Sequence, residues 1–396
     1  MNIVVIGAGL TGANAVEELR NQGYAGDITL IGAEPHLPYE RPPLSKGLLL
    51  GTAEPGSVFA HDHDWYADHQ VDLRLGSPVT ELDLGRRRVG VTGTQIAYDR
   101  LLLATGASPR RLPLAEPSNP DVVYLRTLDD ALRLRARLTG HILIIGAGWI
   151  GLEVAAAARQ ADATVTVVEA GSLPLLGVLG PELAPLFVGL HREHGVDLRL
   201  STTVDSLTGT QVDLSDGTRI HADTVLVGIG AKPEDQLAAQ AGLATDNGVL
   251  VDARLRTSDP HVCAAGDVAN HDHPRLRRLR VEHWDNAIQQ GKHAARTMLG
   301  DDTPYVRQPY FFTDQYDLGM EYVGHVGHAG YDEVVIRGDA DTRVLTAFWI
   351  RDNEVRAGMH LNDWDAIDPI RSLVEQGTTD LDALRDPEAA LPVPSG

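Results

Sequence analysis

Apolar residues recur along this chain in short, nearly unbroken runs: Ile3-Val4-Val5-Ile6, Ile28-Thr29-Leu30-Ile31, Ile142-Leu143-Ile144-Ile145 and Val165-Thr166-Val167-Val168. Runs this short, apolar on both faces, belong to strands buried in a parallel sheet. Glycine-rich turns follow the first and third: Gly7-Ala8-Gly9-Leu10-Thr11-Gly12 and Gly146-Ala147-Gly148-Trp149-Ile150-Gly151. The pattern predicts strand, turn, helix and strand, twice over. Elsewhere apolar and polar residues alternate, as in Arg88-Val89-Gly90-Val91 and Gln211-Val212-Asp213-Leu214, and Ser215-Asp216-Gly217-Thr218 is a hairpin signal.

The two halves repeat beyond the turns. Val71-Asp72-Leu73-Arg74-Leu75 returns as Val196-Asp197-Leu198-Arg199-Leu200, and Ala104-Thr105-Gly106-Ala107-Ser108-Pro109 is echoed by Gly228-Ile229-Gly230-Ala231-Lys232-Pro233. Each half reads as a strand, a glycine turn, a helix, a strand, a three-strand meander and a return strand. The first half resumes after the second: Val249–Asp252 and Val262–Asp267 read as its last strands, and a helix is expected from Trp284 to Leu299. Past Pro304 the texture changes to strands at Tyr310–Phe312, Glu333–Ile336 and Leu345–Ile350, a helix over Asp365–Gln376 and a disordered tail from Leu391. The expected fold is α/β, with two Rossmann-like dinucleotide-binding domains and a small α+β C-terminal domain. The expected segments are 1–111 and 244–304 for one binding domain, 112–243 for the other and 305–396 for the last.

Composition narrows the chemistry. The 396 residues carry a formal charge of −21, which argues against nucleic acid and anionic membranes as partners. No apolar stretch approaches a membrane span, and the chain opens on a strand, so a soluble cytoplasmic protein is expected. A single cysteine, Cys263, rules out an intrachain disulfide, a Cys-x-x-Cys pair and flavin–disulfide chemistry; its apolar surroundings read as core. His61, His63, His69, His271 and His273 do not build a closed ligand set, so no metal is expected. Lysine is confined to Lys46, Lys232 and Lys292.

In each glycine turn the first Gly permits the turn, the second lets the backbone approach a pyrophosphate, and the third lets helix pack on strand. The helix N-terminus then offers free N–H groups and a positive dipole end. Two such turns point to two dinucleotides, most simply FAD and NADH. Glu34 and Glu169 follow the second strand of each half and are candidates to accept ribose hydroxyls. A carboxylate at Glu169 repels a 2′-phosphate, which favours NADH over NADPH.

The stretch Glu34-Pro35-His36-Leu37-Pro38-Tyr39-Glu40-Arg41-Pro42-Pro43-Leu44-Ser45-Lys46 carries a more specific signal. It resembles the FAD-dependent, NADH-using ferredoxin reductases of the glutathione-reductase fold that serve Rieske dioxygenases and cytochromes P450. The resemblance continues through Ala104-Thr105-Gly106, Tyr124–Thr127, Gly151-Leu152-Glu153, Ala265–Val268, Glu282–Ala287 and Pro309–Asp317. It implies FAD contacts at Thr11, Lys46, Val79, Arg126, Asp267 and Trp284. Arg41, Thr105, Gly106, Gly266, Ile150, Glu153 and Gly230 are further expected cofactor-binding residues, with Glu153 near where the nicotinamide should lie. Two departures stand out: the family often has an acidic residue where this chain has Ala33, and Trp where it has Phe312.

Lys46 and Glu153 are the candidate catalytic pair, an ion pair that stabilises charge on the flavin as it is reduced; a purely structural salt bridge is the alternative. Asp267 reads as a hydroxyl acceptor on the ribityl chain, and Trp284 as a flavin neighbour or an ordinary core aromatic. Arg275, Arg277, Arg278 and Arg280 reverse the local sign of charge and either steer an acidic ferredoxin with a 2Fe-2S cluster or form a solvated loop. Arg86-Arg87-Arg88 reads as a hairpin tip. Within the same fold a rubredoxin reductase or an NADH oxidase remains open, the latter weakened by the lack of Cys near Pro42–Ser45. A scaffold resembling apoptosis-inducing factor would call for basic surface that this chain lacks.

Overall fold

The computed structural model describes residues 1–115, 121–327, 330–377, 380–387 and 389–391. The chain divides into two compact units: Met1–Glu40, Gly56–Ser108 and Ala231–Pro309 make the first, and Arg41–Pro55, Pro109–Gly230 and Tyr310–Gly396 the second. This grouping is coarser than the four segments read from the sequence. It joins the Pro-Pro-Leu-Ser-Lys stretch and the C-terminal sheet to the middle of the chain. The tail from residue 392, expected to lack order, lies outside the described residues.

The first unit is built on a five-stranded sheet in the order Val262–Ala264, Arg100–Leu103, Asn2–Ile6, Asp27–Ile31, Val71–Arg74. Every pairing in it is parallel. The second unit repeats it with Val122–Val123, Thr224–Val227, His141–Ile145, Thr164–Val168 and Asp197–Arg199, again all parallel. Parallel strands need helical crossovers that cover both faces, which is why the apolar runs are continuous. Ile3, Val4 and Val5 in one sheet and Ile142, Leu143 and Ile144 in the other are fully buried.

Each unit also carries its expected meander: Val79–Asp83, Arg88–Val91 and Thr94–Ala97 in one, Val204–Thr208, Gln211–Leu214 and Arg219–His221 in the other. The first strand of each slips register near its start, between Val79 and Glu81 and between Val204 and Ser206. The C-terminal sheet runs Tyr310–Gln315, Leu318–Gly324, Glu354–Leu361, Val344–Arg351, Glu333–Asp339, with the helix Ile367–Gln376 packed on it. Two of its strands, Leu318–Gly324 and Glu354–Leu361, were not legible from the hydropathy pattern. Met320, Trp349 and Met359 of this sheet share one core with Leu152, Leu183 and Phe187, so the sheet belongs physically to the second unit.

Candidate dinucleotide sites and a buried ion pair

The two glycine turns are built alike. Gly7 N–H donates to the carbonyl of Ile31, and Gly146 N–H to that of Val168, each at 2.8 Å. Gly7 and Gly146 sit at φ 114° and 103°, where a side chain is strained. A Cβ on Gly7 would lie 2.0 Å from the Ala104 oxygen, and one on Gly146 2.4 Å from the Gly228 oxygen. The third glycines are equally constrained: a Cβ on Gly12 or Gly151 would lie 2.1 Å from the carbonyl oxygen of Gly7 or Gly146. The middle glycines, Gly9 and Gly148, behave differently. A Cβ there meets nothing within 4 Å. Protein packing does not demand glycine at these positions, and each turn leaves open space ahead of its helix, Leu10–Asn21 or Trp149–Gln160. Backbone left bare toward such a space is what a pyrophosphate requires.

The acidic candidates are not equivalent. Gly32 N–H donates to Arg74 and Glu169 N–H to Arg199, so Gly32 is the structural counterpart of Glu169, and Glu34 stands two residues further on. Glu34 accepts from the Tyr39 hydroxyl at 2.6 Å. Glu169 accepts from Ala147 N–H at 2.8 Å and Gly171 N–H at 2.7 Å, which ties its carboxylate to the second glycine turn. It borders a cavity of about 480 Å³ whose wall includes Gly146, Gly148, Gly228, Ile229 and Gly230, with Leu112 and Val204 as apolar sides. The volume and mixed lining suit a nucleotide half. Ile150, two residues from Gly148, is 43 % exposed.

Of the expected cofactor-binding residues, Thr11, Val79, Thr105, Gly106, Gly266, Asp267 and Trp284 lie in the first unit, and Arg41, Lys46 and Arg126 in the second. Gly266 sits at φ 76°, and a Cβ there would lie 2.3 Å from the Thr11 hydroxyl oxygen, so the turn before Asp267 closes directly on the first fingerprint helix. Gln290 accepts from Gly266 N–H at 2.9 Å, and Arg280 donates to the Asp267 carbonyl at 3.0 Å. Neither support was foreseen, because nothing in the sequence links residues this far apart. Trp284 opens the helix Trp284–Met298, whose next residue, Asp285, is clamped by Arg307 at 2.8 and 3.0 Å. The Thr105 hydroxyl donates to the Glu234 carbonyl at 2.6 Å, an intramolecular commitment. Arg41 donates to the Arg126 carbonyl, which brings that pair together.

Lys46 and Glu153 meet. Lys46 Nζ lies 2.7 Å from Glu153 Oε1, with the side chains 17 % and 4 % exposed. Both belong to the second unit, whereas the sequence reading put Lys46 on the FAD-binding segment. Glu153 stands on the fingerprint helix Trp149–Gln160, and Lys46 follows the one-turn helix Pro42–Ser45, whose two prolines stiffen it. Glu153 also accepts from the Ser45 hydroxyl, and from Thr313 Oγ1 at 2.6 Å. Lys46 lies 5.2 Å from the centre of the Phe312 ring, a cation–π contact. Burial raises the Asp314 carboxyl above the usual range; Lys46 opposes this, and Glu153 and Glu321 reinforce it. Ser45 and Thr313 were missed as Glu153 partners, although both lie in the sequence stretches that carried the family resemblance.

The arginine cluster divides. Arg280 is 9 % exposed and engaged with Glu282 as well as Asp267, and Arg278 donates to the Asn270 carbonyl at 2.7 Å. Arg275, Arg277 and Arg278 are all exposed, and Arg278 differs from the other two in its bond to the Asn270 carbonyl and its pairing with Asp272. Arg86 sits at the meander tip, bonded to Asp83. Cys263 is 5 % exposed in a central sheet, and burial pushes its thiol up to about 12. Among the described residues, no helix is long and apolar enough to cross a membrane.

The chain is similar to known proteins along most of its length. Residues 1–291 match the pyridine nucleotide-disulphide oxidoreductase family, and residues 310–392 the reductase C-terminal domain. The chain is 41 % identical to rhodocoxin reductase of Rhodococcus erythropolis over 357 residues, covering 88 % of this chain and 83 % of that one. It is 38 % identical to the ferredoxin–NAD(+) reductase component of the anthranilate 1,2-dioxygenase system of Burkholderia cepacia over 401 residues, covering 98 % of each. Putidaredoxin reductase, solved in a covalent complex with putidaredoxin, superposes with a TM-score of 0.94 at 35 % identity, covering 97 % of this chain and 95 % of that one. Matched over residues 1–291 and through relatives 38–41 % identical along most of its length, the chain belongs to the pyridine nucleotide-disulphide oxidoreductase family.

Proposed function

We propose that the protein is an NADH-dependent FAD flavoprotein that delivers electrons to a small iron–sulfur ferredoxin serving an oxygenase, a Rieske dioxygenase or a cytochrome P450. The observation that carries this is the duplicated glycine turn with open space at Gly9 and at Gly148. One chain holding two dinucleotide cradles suits one cofactor that gives up a hydride and one that takes it. A bound flavin supplies the conversion of one two-electron hydride into two one-electron transfers. The chain's residues do the rest. The first unit holds FAD through its glycine turn, Thr11 and Asp267. The second unit seats NADH in the cavity bordered by Glu169. Lys46, held by Glu153, is assigned to stabilise negative charge on the reduced flavin.

The family's disulphide chemistry does not run here, because it needs two cysteines and Cys263 is alone and buried. The same fact counts against a cysteine-using NADH oxidase. The relatives' names support a ferredoxin as acceptor. Arg275 and Arg277 are the remaining candidates for steering an acidic partner with a 2Fe-2S cluster. A cytoplasmic location completes the reading.

The test is direct. The purified protein should be yellow, lose its flavin on denaturation, bleach on addition of NADH, and be reoxidised by a 2Fe-2S ferredoxin. A colourless protein that takes up no FAD on reconstitution ends the proposal.

A further inference from the structure

A chain of buried side chains leads away from Glu153, and no part of it was anticipated. Thr313 Oγ1 lies 2.6 Å from Glu153 Oε1, Gln315 Nε2 lies 3.2 Å from Thr313 Oγ1, and His191 Nε2 lies 2.8 Å from Gln315 Oε1. Tyr316 Oη lies 3.5 Å from His191 Nδ1 and closes the chain near the surface. Thr313, Gln315 and His191 are at most 1 % exposed. Thr313 and Gln315 share one face of the strand Tyr310–Gln315, and His191 comes from the helix Leu176–Glu193.

The direction of every bond follows from chemistry. Beside Lys46, Glu153 serves as an acceptor, so Thr313 donates to it. With that hydrogen committed, Thr313 must accept from the amide nitrogen of Gln315. The amide oxygen of Gln315 then faces His191, whose Nε2 must carry the hydrogen. Its Nδ1 is left to accept from Tyr316. Burial holds His191 neutral, with its pKa lowered to about 4, as this tautomer requires. All four bonds point toward Glu153. An amide in the middle does not pass protons readily, so the chain is a brace and not a proton wire.

We propose that Thr313, Gln315 and His191 are positioning residues that fix the Glu153 carboxylate, and through it the Lys46 ammonium, in the orientation that hydride transfer requires. The inference rests on the assignment of Lys46 and Glu153 to flavin reduction. Without the brace, Glu153 keeps Ser45 on Oε2 and Lys46 on Oε1 but loses the second donor on Oε1, the oxygen that faces Lys46. Aligned charge is worth most where it needs no rearrangement during reaction.

The experiment is stopped-flow reduction of FAD-loaded enzyme across NADH concentrations, comparing wild type with Glu153→Gln, Thr313→Val, Thr313→Ser and Gln315→Leu. Thr313→Val removes the donor at constant shape and should lower the limiting rate about tenfold to a hundredfold, the effect of one hydrogen bond to a charged group felt at the transition state. FAD content and half-saturating NADH should stay as in wild type, and Thr313→Ser should restore the rate. Gln315→Leu should fall between, and it carries the test if Thr313→Val does not fold. A wild-type limiting rate in folded Thr313→Val or Gln315→Leu, with Glu153→Gln slow, overturns the brace and leaves the ion-pair assignment standing. A Thr313→Ser variant as slow as Thr313→Val overturns it too, because packing would then be responsible. A wild-type rate in Glu153→Gln overturns the ion-pair assignment and the brace together.

Discussion

Replacing Glu169 by Gln should erase most of the preference for NADH over NADPH, and the structure sets the scale. The carboxylate cannot swing aside easily, because it accepts from Ala147 N–H at 2.8 Å and Gly171 N–H at 2.7 Å. Breaking two hydrogen bonds to a charged group costs about 3–6 kcal/mol. If the carboxylate stays, a 2′-phosphate at about 5 Å meets repulsion of about 3 kcal/mol per pair of unit charges at an effective dielectric of about 20. Either route puts the discrimination at about 3 kcal/mol or more, a factor of about a hundred. Glu169→Gln keeps the shape and one acceptor while removing the charge, so the ratio of second-order rates should fall below about tenfold. The assay is stopped-flow flavin reduction by each nucleotide at low concentration, with a thermal melt to confirm that the turn survives. Equal rates with both nucleotides in wild type, or an undiminished preference in Glu169→Gln, would refute the reasoning.

Neutralising Arg275 and Arg277 together should slow ferredoxin reduction at low salt, with the deficit shrinking as ionic strength shortens screening to ~8 Å, while flavin reduction by NADH is unchanged; normal ferredoxin rates at low salt would reject the patch. Neutralising Arg280 should instead disturb FAD binding, since it holds the Asp267 carbonyl, and an unaltered FAD affinity would count against that role. Cys263 should resist alkylation in the folded protein at pH 8 and react on unfolding, because its thiol is buried and pushed up to about 12; rapid native labelling would contradict the burial. Burial lowers His191 and His271 to about 4, so between about 4 and the unfolded value of 6.5 the unfolded chain binds more protons. Stability should therefore fall as pH drops through that window and level off below it, read as a falling Tm; a flat Tm between pH 7 and pH 5 would refute the assignment.

Local features carried much of this protein in plain view. Four apolar runs, two glycine turns and the repeated Val-Asp-Leu-Arg-Leu stretch determined the three matching neighbouring strands of the two parallel sheets, because glycine spacing and hydrophobic period are properties of adjacent residues. The Pro-Pro-Leu-Ser-Lys stretch brought the family, and the need of a buried Lys46 for a partner pointed to Glu153 across 107 positions. Tertiary structure alone decided the remainder. Glu34 and Glu169 look alike as residues after a strand, yet backbone pairing makes Gly32 the counterpart of Glu169. Four arginines look alike as a cluster, yet Arg280 turns inward to the Asp267 carbonyl, and Arg278, although exposed, is tied to the Asn270 carbonyl of the paired strand. The brace behind Glu153 assembles residues 191, 313 and 315, which share no local pattern, and Thr313 and Gln315 are ordinary polar residues at the end of a strand that begins with three aromatics. Their role arises only when the strand and the helix Leu176–Glu193 bury them together, because a hydrogen bond between distant residues leaves no periodic trace in the chain.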